Sequence, residues 1–164
     1  MPPRIWSLLI AALVFGLDRA TKILVERNVS IWDTHSVIPG FFNIVHTKNR
    51  GAAFGMFSDG ASELRTFLLI GVSVAVLIFV AVLLLQPSRA GFSGSRTTML
   101  ALSLVLGGAI GNIYDRIASG MVTDFLEFYV GQWHFAAFNV ADSAINIGAA
   151  ILIWELWKHR KAQG

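Results

Sequence analysis

The chain contains no cysteine. That absence excludes disulfide staples, thiolate metal sites and cysteine nucleophiles together. Charge is scarce too: Asp, Glu, Lys and Arg make up 14% of the 164 residues, against about 25% in an ordinary soluble domain. The four histidines show no HExxH spacing, which argues against a metal site and a metalloprotease. There is no internal repeat and no low-complexity tract. What the chain has in excess is apolar surface, with 55% hydrophobic residues and a mean hydropathy of +0.64. The balance points to a bilayer, and the length to one domain over 1–164. A net charge of +3 with a pI near 9.7 would suit nucleic acid. The basic residues, however, sit at the edges of apolar runs, so they read as membrane anchors and no nucleic-acid partner is expected.

Phe67 to Leu85 is uncharged and long enough to cross a membrane, and Thr97 to Tyr114 is a second uncharged run. Ile5 to about Val25 begins well but meets Asp18, Arg19 and Lys22, and Phe135 to Trp157 contains Asp142. A cleaved signal peptide is an alternative for the N-terminus, with Arg4 as its basic start. No A-x-A site follows, and the run passes directly into LDRATK. The expectation is four transmembrane helices, at about 5–25, 67–85, 97–117 and 136–157, in an α-helical integral membrane protein. Four spans place both termini on one side. That side holds Arg4, then Arg89 and Arg96, then KHRK at 158–161, with no acidic residue in those three short segments. The density of basic residues makes it the cytoplasmic side.

The opposite side carries the long connection, about 27–64. HSVIPGFFNIVHTKN contains a Pro-Gly turn between β-branched and aromatic residues, which predicts a small hairpin. NRGAAFG at 49–55 is rich in small residues where a backbone can approach a partner closely. Trp32, Phe41, Phe42, Phe54, Met56 and Phe57 make this connection amphipathic, so it is expected to lie on the outer membrane surface and to close over a substrate as a lid.

Polar residues converge at one depth. Asp18 lies fourteen residues beyond Arg4, Asn112 sixteen beyond Arg96, and Asp142 sixteen before Lys158. At helical rise these are about 21–24 Å, in the outer half of a hydrocarbon core about 30 Å thick. Asp124, in the short return after Gly120, can reach the same layer. Along the last span Asn139, Asp142 and Asn146 form one helical stripe. Each piece also has a structural reading. Asp18 and Lys22, spaced i, i+4, can neutralise each other inside a bundle. Asn112, Asp115 and Arg116 can be interhelical glue, and GGAIG at 107–111 a close helix contact. Phe125, Phe128, Tyr129 and Trp133 read as an interfacial belt. Asp124 and Asp142 differ, because neither has a basic residue three or four positions away. Intramembrane carboxylates of that kind are functional by default.

Two carboxylates about 3 Å apart cannot both ionise easily and share a proton. One then draws a proton from water while the other protonates a carbonyl oxygen or a departing amine. That is aspartic-protease chemistry, which needs no metal and no cofactor, and the spacing of Asp124 and Asp142 permits it. A rhomboid-type GxSG does occur, as GFSG at 91–94, but on the assigned cytoplasmic side and with no histidine in any span to serve as its base.

These residues resemble a known family, bacterial lipoprotein signal peptidase, also called signal peptidase II. DRATK at 18–22, NRGAAFG at 49–55, GGAIGNIYDR at 107–116, VTDF at 122–125 and FNVAD at 138–142 are similar to its blocks in order, although Gln is commoner where this chain has Arg19. The resemblance implies four transmembrane helices with a small β-rich periplasmic cradle and a surface loop. It implies Asp124 and Asp142 as the catalytic dyad, with Asp18, Lys22, Asn49, Gly51, Gly108, Asn112, Arg116, Asn139 and Ala141 supporting or lining the site. It further implies a monomer in the bacterial cytoplasmic (inner) membrane, with its active site near the periplasmic face. The expected partners are membrane lipid and prolipoproteins, cut on the N-terminal side of a diacylglyceryl-modified cysteine, and the expected inhibitor is globomycin. Two rival classes stand beside this reading. One is a small proton-coupled transporter using Asp18, Asp115 and Asp142 as a relay. The other is a non-catalytic factor that binds lipidated peptides.

Overall fold

A computed structural model describes residues 3–49, 63–85 and 95–163. Four long helices and a small antiparallel sheet alternate along the chain. They run α1 Pro3–Asn28, β1 Thr34–Ile38, β2 Phe42–Asn49, α2 Glu63–Leu85, α3 Arg96–Ser119, β3 Val122–Val130, β4 Trp133–His134 and α4 Val140–Gln163. The expected hairpin is present. β1 and β2 pair across the Pro39–Gly40 turn, where Gly40 takes the left-handed backbone (φ 81°).

α3 is the central helix, packed against α1, α2 and α4. Its adjacent glycines face different neighbours. A Cβ on Gly107 would stand 2.6 Å from the Ala11 carbonyl of α1, and one on Gly108 would collide with the Ala141 carbonyl of α4. The 107–111 segment is therefore a close helix contact on two sides. Below it, Ala11, Val80, Leu83, Leu84, Leu102, Val105 and Leu106 form the apolar core. α3 starts at an N-cap, where the Ser95 hydroxyl accepts from the Thr98 amide. It ends at Gly120, whose φ of 71° turns the chain directly into β3.

Outward faces are apolar. Leu8, Leu13, Leu17 and Leu24 of α1, Ile78 and Phe79 of α2, and Ile147, Ile153 and Trp154 of α4 are all exposed. Among the described residues, Arg96–Ser119 and Val140–Lys158 are long and apolar enough to cross a membrane.

The sheet order is β1-β2-β3-β4. Phe125, Phe128, Tyr129 and Trp133, the residues expected to form an interfacial belt, lie in this sheet, with Trp133 exposed. Phe125 is buried, and Phe128 packs between Phe41, Phe42 and Phe138. β2 runs antiparallel to β3 with Thr47 opposite Asp124, Lys48 opposite Thr123 and Asn49 opposite Val122. A register shift between Ile44 and Thr47 separates this end from the rest of the ladder. The last helix begins later than its apolar run suggests. Phe138 pairs with Leu126 as a β-bridge, and α4 opens at Val140.

Candidate active site

The site forms where β3, the start of α4 and the C-terminal halves of α1 and α3 meet. Asn139 organises it. This fully buried residue precedes α4, and its side-chain oxygen accepts from the Asp142 amide at 2.9 Å, while its own amide approaches Asp142 Oδ2 at 3.4 Å. The exchange is a capping box. Asn139 therefore lies at the helix cap rather than on a helical stripe, and Asn146, the third member of that expected stripe, is exposed. What the cap leaves over is the side-chain NH₂, which donates to Asp124 Oδ1 at 2.7 Å. One asparagine thus holds both aspartates.

Each carboxylate has a further partner. Asp124 Oδ2 accepts from Asn49 Nδ2 at 3.0 Å, and Asp142 Oδ1 from Asn112 Nδ2 at 2.7 Å. Asp124 is 3% exposed. Burial is the main force pushing its pKa up to about 6, and the Asp142 charge adds to it. The hydrogen bonds from Asn49 and Asn139 and the Lys22 charge oppose the rise. Both carboxylates meet the same residue, Asn139, through its side-chain and main-chain amides.

Beneath this pair lies a buried ion cluster. Lys22 is fully buried, with its ammonium 2.7 Å from Asp18 and 2.6 Å from Asp115, and it donates to Asn112 Oδ1 at 3.3 Å. Three partners offset the desolvation cost of that cation. Asp18 also accepts the Ala141 amide at 2.9 Å, so α1 fixes the first turn of α4. Asp115 additionally pairs with Arg19, which stacks 4.7 Å above Tyr114. Arg19 thus serves an ion pair and a cation–π contact. Arg116 donates to the Asn112 carbonyl at 3.1 Å and acts electrostatically on Asp142 and Asp124. Its buried Nε has no hydrogen-bond partner among the described residues.

Asp18, Lys22, Asn49, Asn112, Arg116, Asn139, Ala141, Asp124 and Asp142 therefore gather in one place, with Gly108 supplying the close α3–α4 approach. Gly51 and the rest of the small-residue segment, like GFSG at 91–94, lie outside the described residues. Two contributors escaped the sequence reading. Gly111 leaves room for Asp18, since a Cβ there would stand 2.6 Å from Asp18 Oδ2. Thr47 donates to the Asp124 carbonyl at 3.2 Å through a strand pairing with no local signature. The β-branched and aromatic run VTDFLEFYV was the available sign of that strand.

The chain is similar to known proteins over most of its length. The family described as Signal peptidase (SPase) II matches residues 10–158. The lipoprotein signal peptidase of Solibacter usitatus is 48% identical over 162 residues, covering 98% of this chain and 96% of that one. That of Cupriavidus taiwanensis is 44% identical over 151 residues, covering 92% and 81%. A solved bacterial membrane enzyme superposes with a TM-score of 0.81 at 30% identity, covering 96% of this chain and 91% of its own. A second reaches 0.77 at 31% identity, covering 92% and 91%. With a family match across 149 residues and near-full-length relatives at this identity, the chain belongs to the signal peptidase II family of membrane proteases.

Proposed function

We propose that this protein is a membrane aspartic endopeptidase that removes the signal peptide from prolipoproteins, with Asp124 and Asp142 as its catalytic pair. The observation that carries the reading is the shared Asn139, bonded to Asp124 through its side chain and to Asp142 through the helix cap. In this reading the pair holds one proton. A water between the carboxylates gives a proton to the ionised one as its oxygen attacks the scissile carbonyl carbon. The protonated carboxyl supports the developing oxyanion. A proton then passes to the leaving nitrogen as the C–N bond breaks. Burial and the Asp142 charge favour Asp124 as the carboxyl that carries the shared proton. Asn112 and Asn139 orient the carboxylates, Asp18 and Lys22 brace the helices, and Arg116 supplies the positive charge beside them.

The names of the relatives support a prolipoprotein substrate. The scissile bond is on the N-terminal side of a diacylglyceryl-modified cysteine, whose lipid chains hold it at the height of the site. All four helices cross the bacterial inner membrane, with both termini cytoplasmic and the carboxylates near the periplasmic face. Apolar outward faces and basic short segments support that placement. The chain acts as a monomer, without cofactor. The transporter alternative finds no support, since the relatives are peptidases and the carboxylates a relay would use, Asp18, Asp115 and Asp142, gather around one site with Asp124. The direct test is to incubate the purified protein in lipid or detergent with a diacylglyceryl-modified precursor and its unmodified counterpart. Shortening of the modified precursor alone is expected. No shortening of either, in a folded preparation, contradicts the proposal.

A further inference from the structure

Behind the strand carrying Asp124 lies a second polar cluster that the proposed chemistry does not use. Glu26 at the end of α1 accepts from Lys48 of β2 at 2.5 Å and from the Thr123 hydroxyl of β3 at 2.6 Å. Lys48 also donates to that hydroxyl at 2.8 Å. One threonine hydroxyl thus donates to the carboxylate and accepts from the ammonium, as a group with one proton and two lone pairs allows. Thr123 is 2% exposed, and the Lys48 and Glu26 side chains are 20% and 32% exposed. The triangle therefore joins three elements at the protein boundary rather than in open water.

Its place in the ladder gives it meaning. Lys48 and Thr123 are register partners, and each is followed by a site residue, Asn49 and Asp124. Successive strand residues point to opposite faces. The triangle consequently grips one face at the Lys48–Thr123 rung, while the rungs on either side of it present Asn49 and Asp124 from the other face. The Thr123 carbonyl, 3.4 Å from Asn139 Nδ2, adds a second link to the site.

We propose that Glu26, Lys48 and Thr123 form a positioning latch that clamps β2 onto β3 and so keeps the Asn49 amide against Asp124. The latch touches no substrate, and its effect on turnover rests on the catalytic role proposed for Asp124. Loosening it lengthens the Asn49–Asp124 hydrogen bond, one of the interactions that favour the ionised carboxylate. The other groups facing Asp124 stay in place, namely Asp142 from α4, Arg116 from α3, Lys22 from α1 and Asn139.

The experiment follows the Asp124 carboxyl itself. Full-length protein carrying ¹³Cγ-aspartate is titrated in micelles, with the Asp124 resonance identified by its loss in Asp124→Asn. Thr123→Val keeps the shape, changes no charge and breaks both hydroxyl bonds. Lys48→Met removes the ammonium, and Lys48→Arg keeps a cation. The Asp124 midpoint is expected to rise by about one pH unit in Thr123→Val and Lys48→Met, in keeping with a weakened hydrogen bond to a charged group. It is expected to return to the wild-type value in Lys48→Arg, and the pH profile of kcat/KM on lipidated precursor moves with it. An unchanged midpoint in Thr123→Val overturns the latch, whatever Lys48→Met does to folding. A shifted midpoint with an unmoved activity profile supports the latch and removes Asp124 from the chemistry.

Discussion

Asn139 donates to Asp124 Oδ1 at 2.7 Å while its side-chain oxygen caps α4 through the Asp142 amide at 2.9 Å. A helix cap and a bond between two carboxyl sites are thus one residue. Asn139→Ala loses both at once. Loss of the cap costs about 1 kcal/mol, and the Asp124 carboxylate loses the bond that ties it to the start of α4 and so to Asp142. The expected outcome is a drop in melting temperature of a few degrees in detergent and a fall in kcat of about a hundredfold, in the range for displaced catalytic groups. A thermal scan together with single-turnover cleavage checks both.

Asp124 also gives stability a pH dependence. Its folded pKa, about 6, lies above the model-peptide value of 3.8. The folded state therefore binds more protons between those values, and stability is lost as pH rises through that window. The loss is on the order of 2–3 kcal/mol. Asp124→Asn removes this contribution. Its melting temperature relative to wild type is expected to rise from pH 4 to pH 7.5, and a gap that stays constant across that range contradicts the assignment.

The room beside Asp18 is a third point of test. A methyl on Gly111 would stand 2.6 Å from Asp18 Oδ2 and would displace it from Lys22 and the Ala141 amide. Gly111→Ala is expected to destabilise the protein by about 1–3 kcal/mol, as overpacking does. Gly16, also in a helix, has nothing within 4 Å of its missing Cβ. Gly16→Ala is expected to stabilise by up to about 1 kcal/mol from helix propensity. Parallel unfolding of the two variants in one detergent measures the contrast.

How much of this was readable from residues alone follows the range of each interaction. The helices show as apolar runs ending at charged residues, and the Asp18–Lys22 pair follows from helical spacing. The hairpin follows from its Pro-Gly turn. β3 was hidden because its partner strand lies more than seventy positions upstream, and an aromatic run looks the same in a strand as in an interfacial belt. The start of α4 was misplaced for a similar reason. Residues 135–138 are as apolar as a helix turn, yet Phe138 bridges to Leu126 and Asn139 caps. Asn146 shared the spacing of Asp142 but points outward, because periodicity defines a stripe without locating the neighbouring helices. Gly111 has no signature until Asp18 is placed in space.

The most direct test of the account is cleavage of a diacylglyceryl-modified precursor by purified Asp124→Asn and Asp142→Asn, each first shown to be folded in the membrane. The account predicts that neither shortens the precursor under conditions in which the wild-type protein does so completely. Wild-type rates in either variant would contradict it.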